Sequence, residues 1–280
     1  MKLIQISGGI VAILIVGLIV AVFIARVMFN RTIHHVQENF NNRIQKNETD
    51  VVTKGDLSHL PQPVADWLNE VGVVGVKPAQ SVTLTQHGEM KLTVEQDQWI
   101  DARASQIIRL DSPGYVWEAD IQTPPLVGTR GLDVLDGDKA SMTIKVASMV
   151  PVANETTSKK LIQSSMHRFL MELPWYPSAS INDYISWKAI DEYSAQATLS
   201  AHNEQVTATF FFDHSVVKRV EAFRYKETTA EAEPILCTGE FDHYEEKGTY
   251  LVPTKAKITW DLPEGPFTWY QFENTDVSYN

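Results

Sequence analysis

The segment LIQSSMHRFLMELPWYP, residues 161–177, decides the fold. Leu161, Ile162, Met166, Phe169, Leu170 and Leu173 recur at helical spacing and predict one apolar stripe along an amphipathic helix. Pro174 ends that helix, because proline disfavours the helical conformation of the residue before it. On both sides the period changes to two. Val82, Leu84 and Gln86 alternate with Thr83 and Thr85, Gly88 turns or bulges the strand, and Met90, Leu92 and Val94 continue it. Strands follow over 99–110 and 115–121, and Pro124-Pro125 breaks the pattern. GLDVLDGDKASMTIKV reads as a hairpin with Asp136-Gly137 in its turn. Downstream of the helix, strands are expected over 187–190, 195–199, 206–212, 217–225, 236–244, 253–262 and 267–279. Short strands with turn signals at this spacing mean an antiparallel meander. The expected class is α+β, mainly antiparallel β: a curved sheet or half-barrel crossed by one helix.

Upstream, LPQPVADWLNEVGVVG at 60–75 reads as a short helix that opens the folded domain, with Pro63 in its first turn and Gly72 at its C-terminal cap. Residues 8–25 form eighteen positions without a polar side chain, enough for a hydrocarbon core of ~30 Å. Phe23-Ile24-Ala25 lacks the small-x-small pattern of a cleavage site, so an uncleaved anchor is expected. The chain divides into an anchor at 1–29 (span about 4–25), a polar stalk at 30–56 with helical spacing of Ile33, Val36, Phe40 and Ile44, and a β-rich soluble domain at 57–280. Arg26, Arg31 and Arg43 after the span lean toward a cytoplasmic body by charge alone.

Composition narrows the function. Lys plus Arg is 24 against 35 Asp plus Glu, a net charge of -11, which disfavours nucleic acid. The single cysteine, Cys237, permits no intrachain disulfide or cysteine-based zinc site and reads as a packed core thiol. Walker, GxGxxG and GxSxG patterns are missing, and His34-His35 lacks the spacing of a helical metal pair. No cofactor or metal is expected. Asp133, Asp136 and Asp138 depart from a calcium-loop order and fit a turn.

Arg130, Asp133 and Lys145 fall in or near strands, with Asp133 and Lys145 facing each other across the hairpin. They read either as a solvated sheet face or as a polar cluster in which Arg130 and Lys145 meet an anionic headgroup. His167 reads as a polar-face histidine, with a catalytic base as the sharper alternative. Trp99, Trp117, Trp175, Trp187, Trp260 and Trp269 lie on or beside strands or at the helix end. They are core residues of a large sheet, or the walls of an apolar site.

Three stretches together carry a resemblance: LPQPVADWLNEVGVVG at 60–75, PGYVWEADIQTPPLVGTRGLDVLDGDKASMTIKV at 113–146 and FLMELPWYPSA at 169–179. With RVEAFRY at 219–225 and VPTKAKITWDLPEGPFTWY at 252–270, residues 57–280 resemble a family of uncharacterised bacterial proteins known only as a domain of unknown function, whose members often carry a hydrophobic N-terminal segment. The resemblance implies no activity. It implies a domain outside the cytoplasm, and the apolar segment at 8–25 is expected to make a single-pass anchor. The family usually shows a glycine-arginine-aspartate triplet after the paired prolines. Here the order is Thr129-Arg130-Gly131-Leu132-Asp133, with arginine and aspartate separated. By analogy the architecture is the half-barrel of bacterial lipoprotein carriers. The first reading of function is a membrane-anchored, non-catalytic domain that binds a lipid-like or other apolar molecule between sheet and helix, through Arg130, Asp133, Lys145, Trp117, Trp175, Tyr225 and Trp260. The alternatives are an envelope interaction or assembly module, and an enzyme using Arg130, Asp133, Lys145 or His167.

Overall fold

The computed structural model describes residues 2–45, 48–123 and 128–280; Pro124-Pro125 lies outside them. Two meanders build the sheet. The first comprises β1 (Ser81–Met90), β2 (Ile100–Arg109), β3 (Gly114–Ile121), β4 (Thr129–Asp136), β5 (Lys139–Val146) and β6 (Val150–Thr156). The second comprises β7 (Ile185–Ala189), β8 (Ser194–Ala201), β9 (Glu204–Asp213), β10 (Val216–Arg224), β11 (Ile235–Lys247), β12 (Tyr250–Leu262) and β13 (Gly265–Tyr279). β1 pairs with β13, which joins the meanders into one antiparallel sheet of 13 strands ordered 6-5-4-3-2-1-13-12-11-10-9-8-7. β6 and β7 remain open edges, so this is a half-barrel and not a closed barrel.

The helix α3 (Lys159–Met171) links the two edges. Ser158 caps it by accepting a hydrogen bond from the Leu161 N–H at 3.2 Å. The helix ends three residues before Pro174 and continues as 3-10 turns over Leu173–Trp175 and Pro177–Ile181. Leu161, Met166, Phe169, Leu170 and Leu173 are buried, and Ile162 packs at the margin. α3 touches β3, β4 and β5 in one meander and β8, β9 and β10 in the other. Flat, β5 and β8 would lie about 48 Å apart at ~4.8 Å per strand, whereas a helix of 13 residues is about 20 Å long. One helix reaches both only because the sheet curls around it.

The short helix α2 (Gln62–Glu70) opens the domain and buries Val64, Trp67 and Leu68. Gly72 follows at φ +82°, and the Val73 N–H returns to the Leu68 carbonyl at 3.0 Å. This closes the helix end in the left-handed conformation that glycine adopts freely.

Several local expectations change. β1 stops at Met90, and Leu92 and Val94 are exposed in the following loop. Gly88 neither turns nor bulges the strand. It is a point of close approach to β13, while the bulge lies at Thr85/Gln86. The β4–β5 turn is Gly137-Asp138, one residue later than read, because Asp136 pairs with Lys139. Residues 150–156, given no element from sequence, form β6.

The helical spacing in the stalk segment is part of a longer helix. The helix α1 (Lys2–Asn41) runs unbroken from the apolar segment into it. α1 is long and apolar enough to cross a membrane. Its downstream part packs on the outer face of the sheet, where Phe29, Ile33 and Phe40 are buried against Val116 and Leu132. Burial contributes roughly 1.5–3 kcal/mol per such side chain. Polar contacts bracket the patch: Arg26–Asp120 at 3.0 Å and Arg43–Asp136 at 2.6 Å. Successive residues of β3 point to opposite faces, so Val116 meets α1 while Tyr115 and Trp117 meet α3.

Candidate functional site

Between α3 and the inner face of the sheet lies a cavity of about 520 Å³, within the range of small-molecule sites. Trp117, Trp175, Phe241, Trp260, Tyr270 and Phe272 form much of its wall. These aromatics are fixed from behind. The Trp175 indole donates to the Pro253 carbonyl at 3.0 Å, and the Trp117 indole to Gln86 Oε1 at 3.1 Å. Tyr270 and Phe272 stack at 4.3 Å. Lys91 and Leu92 of the β1–β2 loop, Phe267, and residues 226–229 of the β10–β11 loop also line it, and the exposure of Leu92, Lys226, Glu227 and Thr229 puts its opening among these segments. Lys160 Nζ donates to the carbonyls of Thr229, Ala230 and Ala232, each at 2.8 Å, and Thr228 Oγ1 donates to Glu155 at 2.7 Å. The β10–β11 loop is thus strapped over the start of α3 and across to β6.

One wall is polar and closed on itself. Arg168 of α3 donates to Asp133 at 2.8 Å, to Glu172 at 2.8 Å and to Gln106 at 3.2 Å. Gln106 in turn donates to Glu172 at 2.6 Å, and the Tyr115 hydroxyl to Asp133 at 3.0 Å. The guanidinium lies 4.9 Å from the Tyr115 ring and 4.8 Å from that of Trp117. Burial alone would lower the Arg168 pKa, but Glu172, Tyr115 and Asp133 outweigh it and the net shift is upward. Arg168 therefore stays charged and is internally neutralised.

Arg224 differs. It lines the cavity, donates Nε to Ser164 Oγ at 3.0 Å and lies 5.5 Å from the Trp260 ring. Among the described residues no carboxylate lies within ion-pair distance of it. Trp269, another lining residue, buries its indole N–H without an acceptor among the described residues. Neither Arg168 nor Arg224 stands out in sequence. Arg168–Glu172 has the i, i+4 spacing of an ordinary surface pair, and Arg224 follows the alternation of its strand.

Trp117, Trp175, Tyr225 and Trp260 all line the cavity. Asp133 lies on the same inner face, committed to Arg168 and Tyr115. Arg130 and Lys145 do not join it. They pair with each other across the hairpin, whereas Asp133 pairs with Met142. Both face α1: Arg130 bonds Asn30 and Glu118, and Lys145 Nζ lies 4.7 Å from the Phe29 ring. The sheet thus separates the three charges expected to cluster.

Cys237 is buried and its thiol is pushed up by burial, as for a packed core residue. His167 is buried beside Gln163, whose carbonyl lies 2.9 Å from Nδ1. Burial, reinforced by the Arg224 charge, pushes its pKa down to about 4. The folded protein resists protonation that the unfolded chain accepts below pH ~6.5. Stability is therefore full above that value and falls as pH drops toward 4, by about 3 kcal/mol in all. Urea unfolding at pH 7 and pH 5 should show about 2 kcal/mol of this loss, and His167→Gln should remove most of the difference between the two; an unchanged difference would exclude His167 as its source.

One solved structure is a distant structural match. The LolA superfamily protein NE2245 from Nitrosomonas europaea aligns with a TM-score of 0.41 at 10% identity, over 80% of this chain and 94% of its own. No curated protein matches. One family model spans the helix that opens the domain, both meanders and α3, and on that match over residues 58–279 the chain belongs to a family of unknown function, DUF6920.

Proposed function

We propose that this protein is a membrane-anchored binding protein that holds a lipid-like amphiphile between sheet and helix, with α1 as an uncleaved single-pass anchor and the domain outside the cytoplasm. The observation that carries the reading is the aromatic-walled cavity of about 520 Å³ lined by two cations, Arg224 beside Trp260 and Lys91 beside Trp99, that no carboxylate neutralises among the described residues. A site built this way favours an apolar chain with an acidic head. Trp117, Trp175, Tyr225 and Trp260 contact the chain and Arg224 the head. Asp133 acts through Arg168 by holding that wall in place. Arg130 and Lys145 serve the contact with α1 instead.

Mass spectrometry of small molecules extracted from the full-length protein, purified from bacterial membranes, tests the reading. A stoichiometric amphiphile is the expected result; an empty cavity in protein that is folded would overturn it, and stable capture of a protein partner alone would favour an assembly module. In a direct titration, Arg224→Gln should weaken a long-chain fatty acid roughly 10–100-fold, the worth of a charge-assisted hydrogen bond of about 1.5–3 kcal/mol. A long-chain alcohol of equal length should bind nearly unchanged. Equal loss for both would mean that Arg224 shapes the wall and does not read the head.

A further inference from the structure

We infer that the end of the sheet from which α1 emerges rests on the bilayer, so that the cavity mouth opens onto the leaflet and exchanges lipid with it directly. This rests on the reading of α1 as an anchor and of the cavity as a lipid site.

The direction of α1 along the outer face supplies the first argument. Its downstream half lies along β3 and β4. Arg43 meets Asp136, which pairs with Gly114 at one end of these strands. Arg26 meets Asp120, which pairs with Arg130 near the other end. Upstream of Arg26 the helix continues past that second end. Leu18, Ile19 and Val22 there line a crevice of about 330 Å³ with Gly128, Ala147 and Ser148.

The register identifies what else lies at this end. Thr129 pairs with Ile121 and Val146, Ile121 with Ala102, Val146 with Val150, and Met90 with both Ile100 and Tyr270. The β1–β2 loop, the β5–β6 turn and the β12–β13 turn therefore share the end from which α1 leaves. Exposed Leu92 of the β1–β2 loop, at the opening, and Phe267, beside the β12–β13 turn, both line the cavity.

Exposed apolar side chains gather at this end, beside the charged Glu95, Asp97 and Glu264. Leu92 and Val94 on the β1–β2 loop are exposed, as are Met149, Val150 and Val152 on and after the β5–β6 turn, with Val152 at 62%. At the opposite end of this meander the turns are Asp111-Ser112-Pro113 and Gly137-Asp138. Lys91 Nζ sits 5.1 Å from the Trp99 ring at the membrane-proximal end, a pairing of residue types enriched at bilayer interfaces.

The depths agree. From Arg26 back to Leu18 is about 12 Å at 1.5 Å per residue. If Arg26 marks the polar boundary, the turn beside Leu18 and Val22 lies about 6–12 Å beyond it, close to the ~5–10 Å at which interfacial apolar groups settle. A free stalk would allow any orientation. A continuous helix buried against the outer face fixes this one, and the bilayer is the occupant that covers the exposed rim.

The test uses the full-length chain in lipid nanodiscs, on a Cys237→Ala background. An environment-sensitive fluorophore is placed singly at Val150→Cys, Leu92→Cys and, as the control at the far end, Asp138→Cys. Lipids carrying a nitroxide high on the acyl chain should quench the labels at 150 and 92 several-fold more strongly than the label at 138. Equal, weak quenching at all three sites would overturn the docking. The measurement requires no bound ligand. Strong quenching in a protein that yields no lipid by mass spectrometry keeps the docking and removes the lipid site; a bound lipid without quenching does the reverse.

Discussion

Replacing Arg168 by methionine should cost about 3–5 kcal/mol of folding stability, read as a lower urea midpoint at an unchanged slope. The substitution preserves much of the side-chain volume, so packing loss is secondary. The dominant cost is what it leaves behind. Buried Glu172 and half-buried Asp133 lose their shared cation, and Gln106 loses the guanidinium donor to its carbonyl oxygen. Arg168→Lys keeps the charge but not the planar fork that serves Asp133, Glu172 and Gln106 at once, so it should fall between wild type and Arg168→Met. A further variant decides the cause. Combining Arg168→Met with Asp133→Leu, Glu172→Leu, Gln106→Leu and Tyr115→Phe removes every polar member of the group. Buried ion pairs replaced wholesale by apolar residues are often neutral or stabilising. Recovery of most of the lost stability would show that the penalty lies in the uncompensated charges; no recovery would show that the network itself holds α3 in place.

This network marks the limit of what the sequence discloses. The period-two segments and the stripe on α3 are local signals, and they identify the sheet and its crossing helix. The polar wall depends on which strands meet α3, and that follows from curvature. The arginine–aspartate problem is different, because part of its answer is local. Arg130 and Asp133 stand three residues apart on one strand, and an odd spacing places them on opposite faces. Lys145 then follows from the turn: with Gly137-Asp138 as the two loop residues, Lys145 lies opposite Arg130. The stalk reads as polar because its acidic and amide residues outnumber its apolar ones. Yet Phe29, Ile33, Val36 and Phe40 repeat at four, three and four residues, the stripe of a helix that packs. What hid its partner was the outer face of β3 and β4, which alternates apolar residues with others that themselves face the core.

Gly88→Ala should be the most damaging single methyl in the domain, with a loss of about 3 kcal/mol or more, the upper end of overpacking penalties. Gly88 lies on β1 opposite Phe272 of β13, on the one pairing that joins the two meanders. A Cβ there would lie 2.6 Å from the Phe272 Cα, and nearer still to the Phe272 Cβ and the Gln271 carbonyl oxygen. These neighbours belong to a paired strand and cannot rotate away. Relief requires β1 to separate from β13, and such a shift moves Phe272 and its stacked neighbour Tyr270 in the cavity wall. The effect should therefore appear twice, as a lower unfolding midpoint and as weaker retention of an apolar chain in protein that remains folded. Gly131→Ala is the matching control. It lies within β4, where a Cβ would meet the Trp117 ring edge at 3.4 Å, an ordinary contact. Glycine inside a strand costs roughly 0.5–1 kcal/mol relative to alanine, so that substitution should be neutral or mildly stabilising. If the two alanines behaved alike, the β1–β13 seam would be more compliant than its backbone contacts imply, and the meanders would be held together chiefly by α3.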